Sequence, residues 1–189
     1  EAFARIAQND EAVLANLWEM FGLAMYRGHE VSPMILLQGS GANGKSTILE
    51  TLKCLLGNEN YFSLPIHALG EKFQLVPAIG KLALIGDDIS NDHVGNQACS
   101  VLKKFVTGEA VSDQYKGSAT FEFTPCATLI YSCNELPRFA DGSYGFERRT
   151  HPIPLSARFT PNDKEYDPHL KQKLCEEECI EYAIVQGIN

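Results

Sequence analysis

The stretch Gly39-Ser40-Gly41-Ala42-Asn43-Gly44-Lys45-Ser46 follows the apolar run Met34-Ile35-Leu36-Leu37 and opens a helical pattern. It fits G-x-x-x-x-G-K-[ST] at every fixed position, in the strand-then-helix setting that gives the motif its meaning. Glycines let such a loop wrap so that successive backbone N–H groups point inward at phosphate oxygens. The following helix adds the positive end of its dipole. Gly39, Ser40, Gly41, Ala42, Asn43, Gly44, Lys45, Ser46 and Thr47 therefore read as a nucleoside triphosphate loop. Lys45 is placed to reach the β- and γ-phosphates, and the Ser46 hydroxyl a Mg²⁺ ion.

Outward from the loop, Ile48, Leu49, Leu52, Leu55 and Leu56 mark the buried side of the next helix, which Gly57 stops. Upstream, Asn9 or Asp10 caps a helix in which Val13, Leu14, Leu17, Trp18, Phe21 and Met25 recur at helical spacing; Gly28 ends it. Residues 81–86 read as a second core strand finishing in Asp87-Asp88, and residues 127–132 as a third ending in Cys133-Asn134. Between them a helix runs through about 97–106 to Gly108, and residues 111–123, centred on Tyr115-Lys116-Gly117-Ser118, suggest a hairpin. Asp167-Pro168 sets up a C-terminal helix to about Gln186. The expected fold is α/β, a central parallel sheet flanked by helices. Its organisation is an N-terminal helical segment (1–30), a phosphate-loop core (31–160) and a C-terminal helical segment (161–189).

At 189 residues there is room for one such domain and its appendages, and 44% hydrophobic with 21% charged residues is ordinary for a soluble globular chain. No apolar run approaches the roughly 18 residues that span a bilayer, and the N-terminus lacks the pattern of a signal peptide. A cytoplasmic protein with no membrane partner is the expectation. A start without Met, and an end just after a helical pattern, read as a piece of a longer protein. The six cysteines form no C-x-x-C pair, so reduced and mostly buried thiols are expected, with Cys175 and Cys179 sharing one helix face. A net charge of −8 argues against a generally basic nucleic-acid coat, while leaving room for a narrow basic strip.

Ligands in open parallel sheets sit beyond the carboxyl ends of the strands, and all three core strands end there in polar groups. Asp87 suits the metal shell, directly or through water, and Asp88 is the candidate to polarise the attacking water. Asn134 could hold that water or the γ-phosphate. Arg148 and Arg149, in Phe146-Glu147-Arg148-Arg149, would offset charge developing on the γ-phosphate, since a guanidinium stays ionised and binds phosphate bidentately. Lys103, Lys104 and Lys116 supply cations on and near the hairpin.

The ordered set LLQGSGANGKST, LALIGDD, VLKKFVTGEAVSDQYKGSATFEFTP, LIYSCNELPRF and FERRTHPIPL resembles the motifs of superfamily 3 helicases. The branch it is most similar to is the primase-helicase type of phages, satellite phages, mobile elements and large DNA viruses. That resemblance implies an AAA+-like core that forms a homo-hexameric ring, hydrolyses ATP with Mg²⁺ and translocates on single-stranded DNA. By position it assigns Lys45 and Ser46 to triphosphate and metal, Asp87 and Asp88 to the acidic pair, and Asn134 to the sensor. It assigns Lys116 to the DNA-facing hairpin and Arg148 or Arg149 to a finger reaching a neighbour's ATP. Two departures stand out: the pair is Asp-Asp where a Glu often activates water, and no primase-like segment is present, so a primase would be fused or partnered outside these residues. The rival expectations are an AAA+-like loader or remodeller, and an origin-binding module that uses ATP as an assembly switch.

Overall fold

The computed structural model describes residues 1–28, 33–89, 93–163 and 166–189, the side chains of Asp87, Asp88 and Tyr144 excepted. Helices α1 (Ala2–Ile6) and α2 (Glu11–Met25) lead to strand β1 (Met34–Gln38), and the glycine-rich loop then opens α3 (Lys45–Leu56). There follow β2 (Tyr61–Phe62), β3 (Ala83–Ile89), β4 (His93–Val94), α4 (Asn96–Thr107), β5 (Val111–Asp113), β6 (Phe121–Phe123) and β7 (Thr128–Cys133). The chain closes with β8 (Arg138–Phe139), α5 (Tyr144–Glu147), β9 (Thr150–Pro154), α6 (Leu170–Leu174) and α7 (Glu177–Ile188).

Five strands make one parallel sheet in the order β2-β3-β7-β1-β9. Along β1, Met34 and Leu36 enter one buried cluster and Ile35 and Leu37 another, because successive side chains of a strand point to opposite faces. The first cluster gathers Leu84, Leu129 and Tyr131 with Leu102 and Phe105 of α4. The second gathers Ile85, Ile130 and Ile153 with Leu17, Phe21, Ile48, Leu52 and Ala183 from α2, α3 and α7. Helices thus cover both faces, which is why the core strands read as unbroken apolar runs.

Local signals explain the element ends. Asp10 caps α2 by accepting from the Ala12 and Val13 amides at 2.9 and 3.2 Å, settling the choice left open between it and Asn9. Gly57 and Gly108 close α3 and α4, the latter in a left-handed conformation.

Four expectations need correcting. Strand β3 does not stop at Gly86; it runs to Ile89, and its register with β7 slips between Gly86 and Ile89, so Asp87 and Asp88 occupy a bulge. The C-terminal helix is two helices, because Glu176 is extended (φ −69°, ψ 149°) and starts a new helix whose first turn, Glu177 and Glu178, suits the dipole. Cys175 ends α6 and Cys179 lies in α7, so they do not share a helix. Cys175 is joined to Cys54 of α3 in a disulfide, whereas Cys99 and Cys133 are buried free thiols as expected.

Strand β9 escaped the sequence reading because Thr150-His151-Pro152-Ile153-Pro154 carries two prolines. It is an edge strand, and the bonds from the Met34 amide to the Arg149 carbonyl and from the Leu155 amide to the Gln38 carbonyl show which residues face β1. Residues 149, 151, 153 and 155 do. Pro152 and Pro154 fall on the alternate positions, where no donor is needed.

Candidate functional site

The loop after β1 is held from three sides. Gly39 donates its amide to the Cys133 carbonyl at the end of β7, and Phe159 donates to the Ala42 carbonyl at 2.8 Å. Asn43, almost fully buried, accepts from the Gly41 amide at 2.9 Å and donates through Nδ2 to the Leu155 carbonyl at 3.2 Å. Gly44 must be glycine on two counts: its φ is +88°, and a Cβ there would lie 2.8 Å from the Ile6 side chain of α1. The loop therefore fits between the tips of β7 and β9 and the N-terminal helix. The first amides of α3, at Lys45 and Ser46, have no place in the helical ladder and point out of its N-terminus.

Lys45 is half-buried at the centre of this arrangement. Its ammonium donates to the Gly39 carbonyl, to Asn43 Oδ1 at 3.1 Å and to Asn134 Oδ1 at 3.2 Å. All three acceptors are neutral oxygens, so among the described side chains this charge meets no carboxylate. Asn134, exposed just beyond β7, is thereby brought into the same cluster as the loop across 89 residues of sequence. Ser46 is exposed and Thr47 half-buried. The backbone of Asp87 and Asp88 ends β3, the neighbour of β7; their side chains lie outside the described residues.

Beside the loop opens a cavity of about 330 Å³. Ala42, Gly44, Ser46 and Thr47 form one wall, Arg5 and Ile6 of α1 a second, and Phe159, Tyr166, Leu170 and Lys171 a third. The Arg5 guanidinium sits 5.8 Å over the Phe159 ring. Neither the α1 wall nor the residues after β9 carried a sequence signal; proximity to the loop arises from the way both ends of the chain pack on α3. Among the described residues, no group of three or more His, Cys, Asp or Glu side chains is placed to hold a metal, and no helix is long and apolar enough to cross a membrane.

The other sequence candidates lie elsewhere. Arg148 and Arg149 precede β9 at its amino end, where Thr150 pairs with Met34, whereas the loop starts after Gln38. The length of β1, about 3.3 Å per residue, puts roughly 15 Å between them and the loop of the same chain. Arg149 is occupied: Nη1 donates to the Gly145 carbonyl at 2.6 Å, closing the short α5 turn, and its own carbonyl accepts from Met34. Arg148 is exposed.

The hairpin is present as β5 and β6, antiparallel, with Asp113 opposite Phe121. Lys116 is exposed in its turn beside Gly117, and Tyr115 stacks on Phe121 with ring centroids 5.5 Å apart. The turn end of the hairpin ladder is fixed by Asp113, a buried carboxylate that accepts the amides of Phe73, Leu75 and Val76 at 2.7–3.0 Å. Lys103 is ion-paired with Asp141, which this contact and the Ser143 bonds hold down to about 2. Lys104 is half-buried in the last turn of α4.

Comparison with known proteins agrees with this architecture. The fold is similar to solved structures of the NrS-1 C-terminal region: one superposes with a TM-score of 0.73 at 16% identity, covering 98% of this chain and 44% of that one. A second form of the same region gives 0.71 at 13% identity, covering 98% and 43%. In sequence, the chain is 26% identical over 166 residues to L207/L206 of Acanthamoeba polyphaga mimivirus, provisionally named a helicase, covering 83% of this chain and 17% of that protein. The chain thus spans less than half the length of the relatives it matches. Residues 37–149, from the tip of β1 to the arginine pair, match the model of DUF5906, described as a family of unknown function, and the chain belongs to that family.

Proposed function

We propose that this chain is the ATPase core of a DNA helicase of the superfamily 3 type, with a P-loop, AAA+-like fold, from a viral or mobile-element primase-helicase. The observation that carries it is the Lys45 ammonium, suspended among Gly39, Asn43 and Asn134 where the glycine-rich loop after β1 enters α3. The provisional helicase name of the mimivirus relative supports the same reading.

ATP would lay its phosphates on the amides of the loop, and Lys45 would exchange neutral acceptors for phosphate oxygens, a stronger charge-assisted contact. Its departure releases Asn134 to hold the γ-phosphate or the attacking water. Ser46 and Asp87 would hold Mg²⁺, which would supply positive charge against the phosphates. Asp88 would orient the water. The nucleoside would occupy the cavity between α1 and residues 159–171, against Phe159 and Tyr166. Arg148, exposed at the far end of the sheet, cannot reach this loop from its own chain; in a homo-hexameric ring it would reach the neighbour's, while Arg149 shapes the turn that presents it. Lys116 and the Tyr115–Phe121 stack would meet single-stranded DNA, with Lys104 behind them. The primase would lie outside these residues, and the host-cell cytoplasm is where such an enzyme would work.

The test is ATP turnover by the purified chain with and without single-stranded DNA, beside a measurement of assembly mass. Turnover that rises with DNA and disappears in Lys45→Ala, with the fold retained, is expected. Turnover indifferent to DNA would favour the loader reading, and ATP-dependent assembly without hydrolysis the switch reading. A folded wild-type chain that neither binds nor hydrolyses ATP overturns all three.

A further inference from the structure

Helix α6 forms part of the cavity wall beside the phosphate loop, through Leu170 and Lys171, yet none of its five residues is buried. What holds it is limited. Leu170 is half-buried, Leu174 is half-buried against the second core cluster, and Lys173 pairs with Asp167 at 2.6 Å near the surface, a contact of small net value. A further tie is covalent: Cys175, which ends α6, is bonded to Cys54 on α3, 121 residues away in sequence. Cys54 is exposed and Cys175 half-exposed, so small thiols and disulfides can reach the bond. The four other cysteines are free, and two of them, Cys99 and Cys133, are shut away in the core. The one bridged pair is thus also an accessible one, and it fastens a weakly packed wall to the helix that carries Lys45 and Ser46.

We propose that Cys54 and Cys175 form a thiol–disulfide switch that sets how firmly α6 closes the nucleoside side of the site. The assignment of that cavity to a nucleoside rests on the proposed function; the switch itself does not. The oxidant is a low-molecular-weight disulfide of the glutathione class. One cysteine thiolate attacks it, forming a mixed disulfide and releasing one thiol. The second cysteine thiolate attacks the protein sulfur of that mixed disulfide, forming the Cys54–Cys175 bond and releasing the second thiol. The balance is two protein thiols and one small disulfide giving one protein disulfide and two small thiols, and excess thiol reverses it. In the bonded state α6 is pre-organised against α3. In the dithiol state α6 keeps its ion pair, the half-buried Leu170 and Leu174 and its junction with α7, but no covalent tie to α3, so its amides open more often and nucleotide must order the wall on binding.

The test uses the whole chain, oxidised with glutathione disulfide or reduced with dithiothreitol. Peptide mapping should recover Cys54 and Cys175 linked after oxidation, and hydrogen exchange over residues 166–175 should be at least about tenfold faster in the reduced chain. Cys54→Ser and Cys175→Ser should exchange at the reduced rate in both conditions, while Cys179→Ser keeps the redox dependence. ATP affinity should be severalfold weaker in the reduced chain and in both bridge variants. Failure of the pair to link, or equal exchange in the two states, overturns the switch whatever ATP does. If exchange responds but the chain binds no ATP in either state, the switch stands and the nucleotide assignment fails.

Discussion

The two ends of the sheet are built on opposite plans. At the carboxyl ends, polar groups are bound to one another: Asn43 ties the loop to Leu155, and Lys45 ties it to Asn134. At the amino end of β9 Arg148 is exposed, and so is Lys116 in the turn of the separate β5-β6 hairpin. The one cluster is tied together within the chain, while these cations are left exposed to solvent. Variants at the two ends should therefore differ in kind.

The largest effect expected is at the exposed arginine. Arg148→Ala should bind ATP nearly normally and hydrolyse it about 10³–10⁵-fold more slowly, the range for a finger supplied in trans. Arg149→Ala should mainly lower stability, by about 1 kcal/mol for its bond to Gly145. Single-turnover hydrolysis and thermal melts of the two variants separate these roles. Mixing Arg148→Ala with Lys45→Ala subunits should restore part of the activity, because some interfaces then join an intact loop to an intact finger. Should mixed assemblies form yet stay inactive, the two ends do not meet across subunits.

Next comes the rigidity of the carboxyl end. Gly86 precedes the acidic pair, and a Cβ there would sit 2.1 Å from the Tyr131 ring. The ring cannot retreat: it is fully buried and its hydroxyl donates to the Leu64 carbonyl at 3.1 Å, with burial pushing the phenol well above its usual range. Gly86→Ala should cost about 3 kcal/mol or more, at the upper end of overpacking. A denaturant midpoint like that of the wild type would mean β3 and β7 are freer to separate than their packing implies.

Asn43→Ala should come third, at about 1–3 kcal/mol, since the Gly41 amide and the Leu155 carbonyl both lose their partner. Its nucleotide affinity should fall as well, because the loop would have to be ordered by the ligand. Lost stability with unchanged affinity would show that Asn43 supports the strand ends and not the loop.

How much of this was legible in advance follows the range of the interactions. The turn between β1 and α3, the ends of α3 and α4 and the hairpin all depend on neighbours within a few residues and could be read directly, and the α2 cap could be narrowed to Asn9 or Asp10. Strand β9 could not, since two prolines hide an edge strand whose only pairing partner lies over a hundred residues upstream. The break between α6 and α7 and the bridge from Cys175 to Cys54 were missed for the same reason: a helical pattern of spacing is continuous there, and only tertiary packing interrupts it. In the candidate site, residue types named Lys45 and Asn134, but their meeting at 3.2 Å, and the α1 wall formed by Arg5 and Ile6, required the fold.

The smallest effect expected distinguishes two lysines of the amino-end half. Lys116 is exposed in the hairpin turn, whereas Lys103 is held by Asp141. Because the Asp141 carboxyl lies at about 2, below its ordinary value, that pair survives at neutral pH and through the usual carboxylate range, and on the acid side is lost only as pH falls toward 2. Lys103 therefore has little free charge to offer a phosphate at neutral pH. Lys116→Ala should weaken single-stranded DNA binding severalfold at low salt and lower the slope of log affinity against log salt by about 0.7, the contribution of one phosphate contact on a single strand. Basal ATP turnover should not change. Lys103→Ala should leave the slope nearly unaltered. Titrations of labelled oligonucleotide at two or more salt concentrations read both quantities. Equal slopes for wild type and Lys116→Ala would remove the hairpin from the DNA path, while a larger loss in Lys103→Ala would move that path onto α4, where the Asp141 pair would have to open to admit the strand.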